Sequence, residues 1–219
     1  GLVPGAGHLI HMPSHTYIQT GDYHKGSLAN LRAVKSDSAY VTTCHAQGAY
    51  PLVYYPHNYH FLAATATLEG NRGWALMGAD KLAQRIHPDI MKQPGWSTLQ
   101  HFYMIPYCVE VKFGAWDKIL GKELQDTLLY PEAISRYARG MAHLGKKDLA
   151  KAKAELGKLE VLAKDERLKE MSIWQINSMQ TIVDIARLVL KGEILASEGK
   201  FDQSITLLKE AVAPEDGLN

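Results

Sequence analysis

The sequence predicts an all-α fold built from about five helical hairpins. The first observation is a turn that recurs five times, in which a helical run ends at a glycine and a second helical run soon begins. The second is a set of mostly small residues at fixed distances from these glycines, and the third is an apolar or aromatic position eleven residues before each. The turn glycines are Gly21, Gly70, Gly114, Gly145 and Gly199.

Each turn glycine is expected to cap the first helix of its hairpin in the left-handed conformation, which glycine adopts without steric cost. The residues seven before the glycines, small in four of the five hairpins, are Ser14, Ala63, Tyr107, Ala138 and Gly192. The residues five after them are Gly26, Ala75, Ile119, Ala150 and Ser204. Small residues let two helices cross closely, so the two helices of each hairpin are expected to pack together.

Composition restricts the class of protein. The chain has 219 residues, a formal charge of +1 and 46% hydrophobic residues, so it is long enough and apolar enough to bury a core. The balanced charge gives no basic patch for nucleic acid, and no apolar run is long enough for a membrane span. Two cysteines, Cys44 and Cys108, are too few for a disulfide scaffold.

Residue usage changes along the chain. Residues 1–130 hold nine of the ten histidines, whereas residues 131–219 are rich in Lys, Glu, Leu and Ala. We expect one solenoid domain over residues 1–219, with residues 131–219 as its scaffold, and we expect it to be a fragment of a longer protein. Residues 1–7 lack the pattern of a signal peptide, which slightly favours the cytoplasm.

The hairpins also resemble a known family. The segments GDYHKGSLANLRAVKSD and GKFDQSITLLKEAVAPED are similar to the second half of tetratricopeptide repeats. More narrowly, GAGHLIHMPSH and YYPHNYHFL resemble a histidine-rich group of large tetratricopeptide-repeat proteins. The resemblance implies a right-handed α-α superhelix, although the turn glycines lie 49, 44, 31 and 54 residues apart and the family repeat has about 34.

The resemblance further implies a ligand groove. In that family the first helix of each hairpin lines the concave surface, at positions thirteen, ten and six before the turn glycine. Six of the first nine such positions are histidine, namely His8, His11, His15, His57, His60 and His101. These residues would bind a protein or peptide segment, and Arg136 and Arg139 would hold a carboxylate of it.

Helical spacing by itself gives a second interpretation. Residues i, i+3 and i+7 share one helix face, so His8, His11 and His15 belong together, as do His57 and His60. If the two helices are neighbours, His8, His11, His57 and His60 could bind a transition metal such as Zn, Cu or Fe. A helix that begins only at Pro13 would instead leave His8 and His11 on a loop.

Three roles for the histidines therefore stay open: hydrogen bonding to nearby tyrosines in a packed helix pair, metal binding, and lining of a binding groove. The adjacent Cys44 and His45 point apart on a helix, so they do not form a nucleophilic pair by themselves. No catalytic residue is predicted, and whether the protein is an enzyme is undecided. Exposed terminal hairpins would also permit a homodimer.

Overall fold

The fold is all-α, as the periodicity predicts. The computed structural model describes residues 5–48, 50–123 and 127–218, so residues 1–4, 49, 124–126 and 219 of the expected domain lie outside the described residues. Within these ranges, two strands of two residues each are the whole of the β-structure. No described helix combines the length and the apolarity needed to cross a membrane, in agreement with the prediction. The chain forms two compact units, divided between Pro88 and Asp89.

The first unit contains two helical hairpins. Its short helix α1 and helix α2 are followed by the long α3, a π-helical turn at Tyr50–Tyr54, and the hairpin of α4 and α5. The bounds are α1 Gly7–His11, α2 Pro13–Thr20, α3 Tyr23–Cys44, α4 Tyr55–Leu68 and α5 Arg72–Ala83. Helix α3 packs against α1, α2 and α4, so it forms the centre of this unit.

The second unit contains three hairpins and a small antiparallel β-hairpin. The helices are α6 Ser97–Lys112, α7 Trp116–Leu120, α8 Leu129–Gly145, α9 Leu149–Leu162, α10 Met179–Ser197 and α11 Phe201–Asp216. Strands β1 Ser172–Ile173 and β2 Asn177–Ser178 follow a 3-10 turn at Glu166–Glu170. The hydrophobic core of this unit lies where α6, α8, α9 and α10 meet.

Four of the five predicted glycine caps are confirmed. Gly21, Gly70, Gly114 and Gly199 have φ between 63° and 79°, and each lies in the turn between two helices. These φ values are in the left-handed region, where a side chain would be strained.

The prediction for Gly145 is wrong, because α8 continues through this residue. Lys147 takes the left-handed conformation instead, with φ 63°, and the backbone N–H of Asp148 donates to the carbonyl of His143 to close the turn. Position 145 requires a glycine for another reason, because a Cβ atom there would lie 2.3 Å from the indole of Trp116. Counted from Lys147, the small residues at the helix crossing are Gly140 and Ala152, both buried, whereas the predicted Ala150 is exposed.

The small residues otherwise lie at the helix crossings as predicted. A Cβ atom on Gly78 of α5 would come within 3.0 Å of the backbone nitrogen of Ala63 on α4. In the last hairpin, a Cβ atom on Gly192 would meet Leu208 at 2.9 Å. The close approach of the paired helices therefore depends on the absence of larger side chains at these positions.

Candidate functional site

The first unit carries a cluster of histidines at the junction of α1, α2 and α4. His8 and His11 lie on α1 rather than on a loop, because the chain is helical from Gly7. The helix is interrupted at Met12, since Pro13 has no N–H to donate to the preceding turn. Met12 keeps right-handed helical angles, so His15 on α2 stays close to His11.

Three histidines from two parts of the chain converge in this cluster. One ligand nitrogen from each of His8, His11 and His57 lies within 4.8 Å of the other two. The Nε2 atom of His11 is 3.2 Å from Nε2 of His57 and 3.0 Å from Nε2 of His15. The ring of Phe61, one turn after His57 on α4, packs against three of these imidazoles, with centroid distances of 4.4 to 4.8 Å.

A hydrogen bond to Asn30 orients the central imidazole. The Nδ1 atom of His11 lies 2.8 Å from Oδ1 of Asn30, and both side chains are fully buried. The amide of Asn30 donates from Nδ2 to the carbonyl of Gly26, which directs Oδ1 toward the ring. Nδ1 of His11 must therefore carry the proton, and in the neutral ring Nε2 presents its lone pair to His15 and His57.

Burial favours the uncharged form of His11, His15 and His57. Desolvation, with smaller contributions from the neighbouring imidazoles, lowers the pKa of His57 to about 3. Desolvation likewise lowers the pKa of His11 to about 4, although the hydrogen bond to Asn30 opposes it. The pKa of His15 is also lowered, mainly by burial and then by the charge of His8. At neutral pH these rings are therefore unprotonated and can donate electron pairs.

A buried carboxylate lies behind the cluster. Asp37 on α3 is fully buried and accepts hydrogen bonds from the hydroxyl of Tyr50 and from Nδ2 of Asn58, each at 2.6 Å. Desolvation raises the pKa of Asp37 despite these two donors. The hydroxyl of Tyr50 also accepts the backbone N–H of His8 at 3.2 Å, so the carboxylate is connected to α1.

A glycine permits this arrangement. A Cβ atom on Gly7 would lie 1.8 Å from Oδ1 of Asp37 and 2.7 Å from the carbonyl of Ala33. Any larger residue would thus force α1 away from α3. Because His8 and His11 are carried by α1, the absence of a side chain at Gly7 determines where both imidazoles lie.

The other predicted site residues lie apart from this cluster. His60 is one turn further along α4, contacts Phe61, and does not belong to the converging set. His101 lies in the second unit, where its Nδ1 is 2.8 Å from the hydroxyl of Tyr130. That contact is the histidine–tyrosine pairing expected for a packed helix face.

The two predicted arginines are paired within the chain. Arg136 contacts Glu132 at 3.0 Å and Glu155 at 3.2 Å, and Arg139 lies 3.7 Å from Glu155. Glu155 itself is buried. A ligand carboxylate would have to compete with these internal partners for either guanidinium group.

Sequence reasoning did not find the residues that support the cluster. Asn30 and Asp37 are seven residues apart on α3, so they share one helix face, and that face is otherwise small or apolar. Two polar residues on a helix face that is expected to be buried are a sequence signal for a functional site nearby. No such sequence signal marks Tyr50, because its place beside Asp37 depends on the π-helical turn at Tyr50–Tyr54.

Cys108 of α6 lies near two tyrosines of α8 in the second unit. Its thiol meets solvent, and burial raises its pKa to about 11. Burial also raises the pKa of both Tyr130 and Tyr137, and the charge of Cys108 adds to each shift, so the two hydroxyls lie near this thiol.

The fold and the cluster define an all-helical protein of helical hairpins that carries a group of converging histidines around the buried His11. Neither the family models, nor the curated proteins, nor the solved structures contain a match to this chain.

Proposed function

We propose that the first unit binds a transition-metal ion through His8, His11 and His57. The observation that carries this proposal is the convergence of one ring nitrogen from each of these histidines, all within 4.8 Å of one another, with the unprotonated Nε2 of His11 3.2 Å from Nε2 of His57. Tetrahedral ligands about 2.0–2.1 Å from one ion are separated from one another by about 3.3 Å, which is close to the distance between these two atoms.

The hydrogen-bond count supports a cation in the cluster. The single lone pair of His11 Nε2 can accept a good hydrogen bond from one neighbour, but His15 and His57 both approach it. In addition, the buried Nδ1 of His8 has no hydrogen-bond partner among the described residues. Since leaving buried polar atoms unpaired is costly, a bound ion would satisfy both features at once.

The ligand chemistry favours Zn, Cu or Fe over hard cations. Neutral imidazoles are good ligands for these metals, whereas Mg and Ca require oxygen ligands. Asn30 would act on the metal through His11, because a ligand histidine is usually held by a hydrogen bond on its other nitrogen. Three protein ligands leave a position for water or for another molecule, which would allow the ion to act as a Lewis acid.

Metal titration of chelator-treated protein tests the proposal. We expect one Zn²⁺ per chain by calorimetry, and visible absorption typical of low-coordinate Co²⁺ when Co²⁺ is used instead. Replacement of His8 or His57 by Ala should weaken binding at least about tenfold. His60→Ala is the matched control on the same helix and should change affinity less than twofold or so.

Two results would contradict the metal proposal. The first is the absence of stoichiometric binding in well-folded wild-type protein. The second is an equal loss of affinity in His57→Ala and His60→Ala, because His60 is not among the three converging residues.

We further propose that the hairpins form a tetratricopeptide-like superhelix that binds a protein or peptide segment. Once Lys147 replaces Gly145 as the turn position, the third and fourth turns are 33 residues apart, close to the family repeat of about 34. The neighbouring side chains of Cys108 on α6 and Tyr137 on α8 support a peptide groove, since both meet solvent and Cys108 is six residues before its turn glycine, a position that lines the groove in that family.

Alkylation of Cys108 tests peptide binding. In a Cys44→Ser background, Cys108 is the one remaining thiol and can be alkylated with a bulky maleimide. A peptide selected from a random library against the unlabelled protein should lose binding at least about tenfold after alkylation. Undiminished binding by the labelled protein would exclude the surface around Cys108 as the groove.

A second copy of the chain is a further proposed partner. Helix α11 exposes three large apolar side chains, Phe201, Ile205 and Val212, to the extent of about half or more of their surface. Light scattering over a concentration series should show association that Phe201→Ser and Ile205→Ser together remove. A constant monomer mass at every concentration would exclude the homodimer.

A further inference from the structure

A groove lies on the face of α1 that is turned away from the histidines. Its cavity volume is about 850 Å³, within the range of roughly 300–1,000 Å³ that is usual for small-molecule sites. Leu9, Ile10 and Pro13 form one wall, and the opposite wall is a stripe of α3. His8 and His11 are on the other side of α1, so the groove is separate from the proposed metal site.

The apolar wall of this groove is accessible to solvent. Leu9 is 56% exposed although it lies inside the cavity lining, and Tyr40 on the facing stripe is 42% exposed. Covering an exposed leucine side chain removes apolar surface from water, which is favourable. A ligand with an aliphatic chain would therefore gain free energy by lying along α1.

The charged side chains that line the groove are both positive. Arg32 and Lys35 stand one turn apart on α3, and neither forms an ion pair with any other described residue. No Asp or Glu is found among the described residues that line the cavity. An anionic group would therefore meet two cations without competition from a carboxylate of the described lining.

From the apolar wall and the two cations that have no ion-pair partner among the described residues, we propose that this groove binds an amphipathic organic anion, a single acyl chain that ends in a carboxylate or a phosphate. The chain would pack on Leu9, Ile10 and Pro13, and the anionic end would contact Arg32 and Lys35. The guanidinium group offers a bidentate contact to either headgroup, and the ammonium adds a second charge-assisted hydrogen bond.

Fluorescence titration with dansyl-labelled undecanoic acid tests this proposal on the full chain. We expect saturable binding of one probe per chain, and a loss of at least about tenfold in affinity for Arg32→Gln/Lys35→Gln, since each charge-assisted contact is worth about that factor. These side chains are exposed, so the variant should fold normally. Arg72→Gln/Lys81→Gln on α5 is the matched control and should bind as the wild type does.

Chemical variants of the probe separate the contribution of the anionic group from that of the acyl chain. The methyl ester of the same acid should bind wild-type protein at least about tenfold more weakly than the acid, because it lacks the charge. The corresponding alkyl phosphate is compared with the carboxylate, and saturable, charge-dependent binding of either supports the proposal. Leu9→Ser should weaken both acid and ester, because it removes part of the apolar wall.

Three outcomes would overturn the proposal. If a peptide or a second copy of the chain occupies the groove instead, neither the carboxylate probe nor the phosphate probe will bind saturably. Unchanged affinity in Arg32→Gln/Lys35→Gln would show that the cations play no part. Equal binding of acid and ester would likewise exclude recognition of an anion.

Discussion

Nδ1 of His11 donates its proton to Oδ1 of Asn30 across 2.8 Å in a part of the protein that water does not reach. This hydrogen bond leaves Nε2 of His11 as the acceptor at the centre of the histidine cluster. The orientation of one amide, itself held by the carbonyl of Gly26, thus determines which nitrogen is available to a metal.

Replacement of Asn30 should separate orientation from packing. Asn30→Leu keeps a similar volume but removes the acceptor, so we expect a loss of about 1–3 kcal/mol in stability and a loss of 10- to 100-fold in metal affinity. Asn30→Asp keeps an acceptor and adds a charge that favours the cation, so Zn²⁺ affinity should be retained or increased. Chemical denaturation and calorimetry provide the two measurements. Equal metal affinity in both variants would contradict the orienting role.

Replacement of Gly7 and of Gly5 by alanine gives a matched pair of variants. Gly7→Ala would place a methyl group 1.8 Å from Oδ1 of Asp37, so it should destabilise the first unit by about 2 kcal/mol or more and displace α1. Beyond its chain neighbours, no atom of the described residues lies within 4 Å of a Cβ on Gly5, so Gly5→Ala should be almost neutral. Thermal unfolding checks both variants, and similar behaviour of the two would show that the contact with Asp37 is unimportant.

The buried histidines should make the protein sensitive to acid. The folded-state pKa values of His11, about 4, and His57, about 3, lie below the ordinary value of 6.5. The unfolded chain therefore binds more protons between pH 6.5 and about 4, and stability falls as the pH falls through this window. Asp37 has the opposite sign, because its raised pKa favours the protonated folded state at the acidic end.

The size of this effect can be measured in one variant. We expect buried His11 to contribute on the order of 2 kcal/mol to the loss of stability between pH 7 and pH 5. Denaturant titrations of wild type and His11→Asn over this range should show a shallower pH dependence in the variant. Parallel curves for the two proteins would mean that His11 titrates normally in the folded state.

A second pair of glycines tests the corrected turn. Gly145→Ala should be destabilising by about 1–3 kcal/mol, because its Cβ would lie 2.3 Å from the indole of Trp116. Gly157 is exposed within α9 with no atom near its Cβ position, so Gly157→Ala should stabilise by about 0.5–1 kcal/mol. Urea denaturation gives both values. A stabilising effect at Gly145 would show that Trp116 moves aside easily.

The sequence by itself determined the helical hairpins. The glycines at four of the five turns and the small residues before them specify local geometry, and such positions depend only on backbone sterics and on helical period. The same period placed His8 and His11 on one face. The fourth turn was missed because Lys147 adopts a conformation that glycine usually supplies, while Gly145 is kept small by contact with Trp116.

Tertiary structure alone decided which histidines meet and in which protonation state. His57 and His60 have equivalent spacing signals, but only His57 converges with His8 and His11. The pairing of Arg136 and Arg139 with Glu155, the hydrogen bond from His11 to Asn30, and the contact of Gly7 with Asp37 join residues far apart in sequence. Such contacts follow from how helices pack and which groups lose water, and helical periodicity carries no information about either.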